Sequence, residues 1–253
     1  MRILVTRPAL QAAEWVGALR ARGLDAVALA LIGIDAIDDP TELQAAWRTL
    51  AQHRFVSFVS PNAVHHFFAH RPASAAWPDA VLAGSPGPGT TRALLAAGVL
   101  AAQIVEPAAD AAQFDSESLW MQLQRHDWRG ARALIVRGDG GRDWLADTLR
   151  AAGVQVDHVA AYRRSAPRFG AAEQALLQAA TTAPQAHLWL FSSSEAIDNL
   201  AALVPAGTAW GRAQAVATHP RIVARARQLG FVNVSEARPS RAAVIACIQS
   251  IRP

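Results

Sequence analysis

The sequence contains no lysine, because all 24 residues of its Lys and Arg total are arginine. Without lysine there is no amine for a Schiff base and no phosphate-loop lysine, which excludes most aldolase, pyridoxal and Walker-type chemistry. The net charge of +4 is mild and the arginines are dispersed, which argues against nucleic-acid binding. Since arginine binds carboxylates through paired hydrogen bonds, a small molecule that carries carboxylates is the better match.

Cysteine is almost absent too, and the histidines are poorly placed to bind a metal. The single Cys247 lies in an apolar helical pattern and is interpreted as a core residue, which leaves no disulfide framework. No HxxxH or HxH pair occurs with an acidic partner, so no metal site is expected. No apolar run reaches the roughly 18 residues of a membrane helix, and the start lacks the features of a signal peptide. We therefore expect a cytoplasmic protein that binds neither nucleic acid nor membrane. We also expect a monomer without a cofactor, although nothing in these patterns sets the oligomeric state.

Ten candidate strands, rich in Val, Ile and Leu, alternate with segments that are each long enough for one helix. Residues 10–22, for example, repeat apolar side chains at helical spacing and stop at Gly23. This alternation is typical of a parallel sheet covered by helices on both faces. The pattern therefore predicts an α/β fold.

The chain also resembles itself. LVTR at Leu4–Arg7 recurs as LIVR at Leu134–Arg137, a spacing of 130 residues. FVSPNAV at Phe58–Val64 is matched by FSSSEAI at Phe191–Ile197, a spacing of 133 residues. Matches that keep their order with so little drift indicate a tandem duplication of a five-strand α/β unit.

The second strand of each repeat is predicted to be long. The stretches Asp25–Ile37 and Val154–Arg164 both exceed the five or six residues of an average strand. Each could leave one lobe and reach the other as a crossover strand. The repeats could equally form two domains side by side, and the pattern leaves both arrangements open.

Six blocks along the chain resemble those of the uroporphyrinogen-III synthases, in the family's order and over nearly the whole length. They are the opening VTRP, FVSPNAV, GPGTTRAL (Gly87–Leu94), LIVRGDGGR (Leu134–Arg142), VAAYRRSAP (Val159–Pro167) and FSSSEAI. The second repeat departs from this pattern, since THPR (Thr218–Arg221) replaces GPGTT and its glycine-rich turn is missing.

The resemblance implies an α/β fold of two similar lobes, each a parallel five-stranded sheet flanked by helices. A two-stranded antiparallel linker would join the lobes and allow hinge motion. Residues 1–34 with 163–253 would form one lobe, and residues 35–162 the other.

Candidate binding residues follow from the rule that ligands of open parallel sheets bind at the carboxyl ends of the strands. Ser60 and Ser193 also suit helix-capping positions, and a salt bridge within its own lobe is the alternative for each arginine. In the segment Ser85–Thr91, Thr90 and nearby backbone N–H groups are expected to contact a carboxylate, with a plain turn as the alternative. The residues that the strand-end rule selects are Thr6, Arg7, Ser60, Arg137, Ser193 and Thr218.

Tyr162 is the only tyrosine in the sequence, and its counterpart in the first repeat is Ile32. A change from an apolar side chain to a phenol at equivalent positions points to function, although a core aromatic with a satisfied hydroxyl is the alternative. The matching YRR block of the family carries a tyrosine implicated in catalysis. The resemblance therefore favours Tyr162 as the catalytic residue.

The activity that the resemblance implies is that of a cyclising hydro-lyase of tetrapyrrole (haem) biosynthesis. Its substrate would be hydroxymethylbilane, a linear tetrapyrrole with eight carboxylates. Loss of the terminal hydroxyl as water gives an azafulvene, and closure through a spiro intermediate inverts the last ring and yields uroporphyrinogen III. Tyr162 would donate a hydrogen bond to the leaving hydroxyl, and the strand-end residues with Thr90 would position carboxylates.

Two other functions fit the same strand pattern. The first is a two-lobed, non-enzymatic binding or regulatory protein that senses an anionic small ligand. The second is a flavodoxin-like protein that binds a flavin or a nucleotide. The ordered set of blocks favours the enzyme over both.

Overall fold

A computed structural model describes residues 1–251 of the chain. The chain divides into two compact units. Unit 1 comprises Met1–Gly33 together with the chain from Ser165 onward, and unit 2 comprises Ile34–Arg164. The chain therefore begins in unit 1, forms all of unit 2 and then completes unit 1.

Residues 1–251 form eleven strands and ten α-helices. The first stretch of unit 1 contains β1 (Arg2–Val5), α1 (Ala9–Arg20) and β2 (Ala26–Ala28). The elements that follow are β3 (Gly33–Ala36), α2 (Thr41–Arg48), β4 (Phe55–Phe58), α3 (Pro61–Ala69), β5 (Leu82–Gly84), α4 (Pro88–Ala96), β6 (Ile104–Val105), α5 (Ser116–Leu123), β7 (Arg132–Gly138), α6 (Trp144–Ala151) and β8 (Gln155–Ser165). The second stretch of unit 1 contains α7 (Ala171–Thr182), β9 (His187–Phe191), α8 (Ser194–Leu203), β10 (Gln214–Ala217), α9 (Pro220–Leu229), β11 (Asn233–Glu236) and α10 (Arg241–Ile251).

The sheet of unit 1 has five strands in the order β11-β10-β9-β1-β2. All four neighbouring pairs are parallel, as the sequence predicts. The central strand β9 is buried along its whole length, which is why it reads as a nearly continuous apolar run. α1 and α10 pack on this sheet, and Cys247 lies half-buried against the same core.

Four aromatic side chains form a second core in unit 1. Trp189 and Phe191 of β9 stack at 5.8 Å between ring centroids, and Trp210 stacks on Phe231 at 4.8 Å. Trp189 also meets Trp210 edge to face at 5.7 Å. The indole of Trp189 is fully buried. Within residues 1–251 its N–H has no hydrogen-bond partner.

The sheet of unit 2 has six strands in the order β3-β8-β7-β4-β5-β6. The pairs that join β8, β7, β4, β5 and β6 are parallel. These five strands repeat the order found in unit 1, with β7 in the place of β1 and β4 in the place of β9. The shared order supports the duplication that the sequence repeats indicate.

Each sheet combines strands from both repeats. The first repeat supplies β1 and β2 to unit 1 and β4, β5 and β6 to unit 2, whereas the second repeat does the reverse. Of the two arrangements that the sequence left open, the structure has the one in which the repeats exchange strands.

The prediction of five strands per sheet is wrong for unit 2, because β3 adds a sixth strand beside β8. Asp25–Ile37 is therefore not one long strand, since its first half is β2 in unit 1 and its second half is β3. The break covers residues 29–32, and β3 begins at Gly33, where an added Cβ would lie 2.3 Å from Oγ of Ser165. A larger residue at position 33 would force the Ser165 side chain to move, and glycine avoids this contact. The antiparallel two-stranded linker stays a prediction.

The strand β8 has eleven residues, so the prediction of a long second strand is confirmed in the second repeat. A bulge interrupts its pairing with β7, because Arg137 lies opposite Ala160 while Gly138 lies opposite Tyr162. The extra residue turns the end of β8 and sets the position of the Tyr162 ring over the end of β7.

Within residues 1–251 no helix has the length and apolar character needed to cross a membrane. In the same part of the chain, no group of three or more His, Cys, Asp or Glu side chains could hold a metal ion.

Candidate active site

Three of the predicted residues lie at the carboxyl ends of adjacent strands in unit 2, and two of them, Ser60 and Tyr162, are in contact. Ser60 follows β4, Arg137 lies near the end of β7, and Tyr162 lies near the end of β8. Because β8, β7 and β4 are parallel neighbours, these ends meet at one edge of the sheet.

Tyr162 is the most enclosed residue of this group. Its side chain is fully buried, with 0% of its surface exposed. One face of the ring lies so close to Gly138 that an added Cβ would be 2.9 Å from Cε2, and the ring centroid lies 5.7 Å from that of His66. The phenol oxygen lies 3.1 Å from Oγ of Ser60. Tyr162 is thus a core aromatic whose hydroxyl has a hydrogen-bond partner.

Ser60 occupies the N-cap of α3, as the sequence predicts. Its Oγ accepts a hydrogen bond from the backbone N–H of Ala63 at 3.2 Å, and Pro61 is the first helical residue. This cap satisfies one of the free N–H groups of the first turn. Ser60 is half-buried, so it lies closer to solvent than the phenol behind it.

Arg137 is held by its own unit. Its guanidinium forms an ion pair with Asp143 and donates to the carbonyl oxygen of Gly141 at 2.9 Å. The side chain is only 15% exposed. The salt bridge that the sequence analysis weighed is therefore present. Asp143 occupies the N-cap position of α6, but its side chain makes no capping hydrogen bond.

A groove of about 400 Å³ opens beside Arg137. Arg150 in its wall pairs with Asp147 at 2.9 Å, and Arg137 pairs with Asp143, so much of the charge is balanced. The hydrogen bond and charge of Arg137 hold the pKa of the Asp143 carboxyl below its usual value. The polar side chains of the lining are Arg137, Asp139, Asp143, Asp147, Arg150 and His158.

The turn that carries Thr90 is organised by residues that the sequence analysis did not select. Ser85 is fully buried, and its Oγ donates to the carbonyl oxygen of Gly87 at 2.8 Å. Thr91 lies one residue beyond Thr90, and its hydroxyl donates to the Glu106 carboxylate at 2.5 Å. Thr90 itself is 3% exposed. Ser85 directly follows β5, so the rule of strand ends could have identified it.

The remaining predicted residues lie at the equivalent edge of unit 1. Thr6 is buried, and its hydroxyl donates to the carbonyl oxygen of Leu190 at 2.7 Å. Thr218 is also buried and follows β10, the strand on the other side of β9. Ser193 occupies the N-cap position of α8 that the sequence indicates, but its side chain makes no capping hydrogen bond.

Arg7 directly follows Thr6 in unit 1. Its Nη1 donates to Oε1 of Gln11 at 3.3 Å, and its guanidinium lies 4.6 Å from the ring centroid of Trp15. Three adjacent strands of unit 1, β1, β9 and β10, are therefore followed by predicted residues, namely Thr6, Arg7, Ser193 and Thr218. The equivalent strand ends of unit 2 carry the other three, Ser60, Thr90 and Arg137.

Two histidines of unit 2 give a testable dependence on pH. Burial, then the charges of His65 and His70, hold the pKa of His66 below its ordinary value of 6.5. Burial also lowers the pKa of His158, with a further lowering by Arg150. A lowered pKa means that the unfolded chain binds more protons below 6.5, so stability rises with pH in that window.

We therefore expect the free energy of unfolding to increase from about pH 5 to about pH 7. His66→Gln and His158→Gln should each make this increase smaller, and the double variant should make it smaller still. Urea unfolding at a series of pH values measures the effect. Variants that keep the full increase would show that neither histidine is responsible.

Comparison with known proteins gives the family. The family model described as uroporphyrinogen-III synthase HemD matches residues 13–246. The uroporphyrinogen-III synthase of Salmonella typhimurium is 34% identical over 179 residues, which cover 70% of this chain and 70% of that protein. The uroporphyrinogen-III synthase of Escherichia coli is 30% identical over 128 residues, 48% of this chain and 50% of that protein.

Solved structures agree on the fold. The uroporphyrinogen-III synthetase of Helicobacter pylori superimposes with a TM-score of 0.62 at 14% identity and covers 100% of both chains. A mutant uroporphyrinogen III synthase of Thermus thermophilus gives a TM-score of 0.60 at 14% identity, over 99% of this chain and 98% of that chain. On the extent of the family match and the Salmonella identity, the chain belongs to the uroporphyrinogen-III synthase family.

Proposed function

We propose that the chain converts hydroxymethylbilane to uroporphyrinogen III, with loss of water and inversion of the last pyrrole ring. Membership of the family supports the reaction. The observation that carries the proposal within the molecule is the hydrogen bond between Ser60 and Tyr162 at the carboxyl edge of the unit 2 sheet. The pair consists of one hydroxyl group that can donate a proton and a second that can replace that proton, and it lies where ligands of parallel sheets bind.

The reaction requires a proton at the hydroxyl group that leaves the substrate. A hydroxyl group leaves carbon readily only when a proton is delivered to it, because water is a far better leaving group than hydroxide. The electron pair of the pyrrole nitrogen then stabilises the cation that remains, so no further electrophile is needed. The Ser60–Tyr162 pair is the donor in this proposal.

The other task is to hold the substrate in the one folded geometry that gives the inverted ring. We assign this task to arginine and hydroxyl groups that bind the acetate and propionate carboxylates. In unit 2, a substrate carboxylate would take the place of Asp143 on the guanidinium of Arg137. The residues assigned to carboxylate binding are Thr6, Arg7, Thr90, Arg137, Ser193 and Thr218.

The proposal includes the setting in which the reaction occurs. We infer that the protein acts as a monomer in the cytoplasm, on a small-molecule substrate and with no bound cofactor. The groups described above need no redox or metal chemistry to protonate a hydroxyl and bind carboxylates.

The test is a coupled assay that separates the two ring isomers. Hydroxymethylbilane is generated in situ, the protein is added, and the products are oxidised so that type I and type III uroporphyrins can be separated. Unaided closure gives the uninverted type I isomer, so a reaction without this protein is the control. A dominant type III product is expected, whereas a mixture equal to the control would favour a non-enzymatic protein that binds an anionic ligand.

A further inference from the structure

We propose that Ser60 is the group that protonates the leaving hydroxyl, and that Tyr162 is a positioning residue that supplies Ser60 with the proton from behind. This inference rests on the proposed function and assigns the order of the two hydroxyl groups in it. It changes the role of Ser60, which the sequence analysis assigned to carboxylate binding.

Tyr162 is more deeply buried than Ser60. The side chain of Tyr162 has no exposed surface, and it belongs to the hydrophobic core of unit 2. Ser60 lies 3.1 Å from the phenol oxygen and is half-buried. A substrate at the edge of the sheet therefore reaches Ser60 first, and the phenol acts on it only through Ser60.

In the hydrogen bond between the two residues, Tyr162 is the donor and Ser60 is the acceptor. A buried O–H group without an acceptor destabilises the fold, because it has lost its hydrogen bond to water and has gained none in the protein. Within residues 1–251 the phenol oxygen has Ser60 Oγ as its hydrogen-bond partner and no other. The phenol therefore donates to Ser60, since the reverse direction would leave its own proton unpaired in the core.

Both acceptor positions of the Ser60 hydroxyl are occupied, which leaves its proton for a substrate. A serine hydroxyl has two acceptor lone pairs and one proton. The N–H of Ala63 occupies one lone pair at 3.2 Å, and the phenol of Tyr162 occupies the other. The proton of Ser60 is then directed away from both partners. The N-cap bond thus fixes the serine oxygen in the orientation that a donor requires.

The ring of Tyr162 has little freedom to change this geometry. Gly138 lies against one part of the ring, at the bulge between β7 and β8. The imidazole of His66, which follows Ser60 on α3, lies 5.7 Å from the ring centroid at an angle of 32°. The phenol therefore stays aimed at Ser60 instead of rotating toward solvent.

The relay keeps atoms and charge in balance. The proton of Ser60 moves to the leaving hydroxyl oxygen as the C–O bond breaks. The electron pair of that bond stays on the oxygen, which leaves as water. The phenol proton moves to Ser60, which leaves a phenolate beside a pyrrole cation. After ring closure, the proton lost from the pyrrole α-carbon returns through Ser60 to the phenolate, and both hydroxyls are restored.

The experiment compares Ser60→Gly, Ser60→Thr, Tyr162→Phe and the double variant Ser60→Gly/Tyr162→Phe. Glycine is chosen because it replaces serine at an N-cap with a much smaller loss of stability than alanine does. The matched control is Ser240→Gly. Ser240 directly precedes α10 in unit 1, and its Oγ accepts from the N–H of Ala243 at the same distance of 3.2 Å.

The relay predicts a specific order of effects on kcat for type III product. Ser60→Gly should lower kcat by about 10²- to 10⁴-fold and at least as much as Tyr162→Phe. The double variant should be no slower than Ser60→Gly, because residues that act as one unit are not additive. Ser60→Thr keeps the hydroxyl and should retain most of kcat, and Ser240→Gly should match wild type. KM should stay nearly constant throughout, which a role in carboxylate binding would not predict.

A second measurement needs no turnover. The protein has one tyrosine, so a ring-labelled tyrosine gives NMR signals from Tyr162 alone. Ser60→Gly removes the acceptor of the phenol and should shift these signals, whereas Ser240→Gly should leave them in place.

The outcomes separate the relay from the function on which it rests. A wild-type protein that makes no type III product contradicts the proposed function and the relay together. An active wild type in which Tyr162→Phe is slow but Ser60→Gly is not would overturn the relay alone, and would make the phenol the direct donor. Unchanged tyrosine signals in Ser60→Gly would also overturn it.

Discussion

Tyr162→Phe is expected to lower kcat for type III product by about 10²- to 10⁴-fold, the usual contribution of a positioned proton donor. The substitution removes only the phenol oxygen, which lies 3.1 Å from Ser60. The ring keeps its packing against Gly138 and His66. Since the loss of one buried hydrogen bond costs about 1 kcal/mol, unit 2 should stay folded. The coupled isomer assay measures kcat, and urea unfolding measures the stability.

The matched control for this variant is Trp77→Phe. Trp77 belongs to the same hydrophobic core, and its indole N–H donates to the carbonyl oxygen of Val81 at 2.9 Å. Trp77→Phe therefore also removes a buried donor from unit 2 and, because it loses ring packing as well, should destabilise the protein at least as much as Tyr162→Phe without slowing turnover. Equal turnover in Tyr162→Phe and wild type would mean that the phenol is only a core hydroxyl.

Trp189→Ala is expected to destabilise unit 1 by about 3–5 kcal/mol, the usual cost of removing a buried large aromatic side chain. Trp189 is fully buried in the central strand of the sheet, where it contacts the rings of Phe191, Trp210 and Phe231. Alanine removes these contacts and leaves a cavity that the rigid strands cannot close. Hydrogen exchange of the β9 amides reports this loss separately from unit 2.

Trp189→Phe is the control that separates the ring from its polar atom. The indole N–H of Trp189 has no hydrogen-bond partner within residues 1–251, so its removal relieves an unpaired donor and offsets part of the lost packing. The cost of Trp189→Phe should therefore be distinctly smaller than that of Trp189→Ala. Equal costs for the two variants would show that the N–H group makes a bond that stabilises the fold.

The sequence was sufficient where a feature depends on neighbouring residues or on the repeat. The strands of the parallel sheets, the N-cap at Ser60 and the length of β8 all follow from local patterns that the structure confirms. The equivalent strand orders of the two sheets follow from the duplication. In each case the determining residues are close in sequence or occur twice.

The features that the sequence did not predict depend on contacts between residues far apart in the chain, or on which of several possible partners a charged side chain binds. Tyr162 meets Ser60 because a bulge turns the end of β8, and a bulge has no signal in the alternation of apolar residues. Arg137 pairs with Asp143, and the sequence pattern has no signal for which acidic side chain would be its partner. Asp25–Ile37 reads as one strand because apolar residues continue through the break, and the close approach of Ser165 to Gly33 exists only in the folded chain.

The exchange of strands between the repeats fixes an order of events during synthesis. β1 and β2 are made before unit 2, whereas β9, the other neighbour of β1, is made only after all of unit 2. Unit 2 is continuous in sequence and can fold while it is being made, because domains fold as units from the N-terminal side. Meanwhile Ile3, Leu4 and Val5, which are buried in the finished protein, present an unpaired apolar strand edge. The edge of β1 that pairs with β9 therefore stays open until the second stretch of unit 1 has been made.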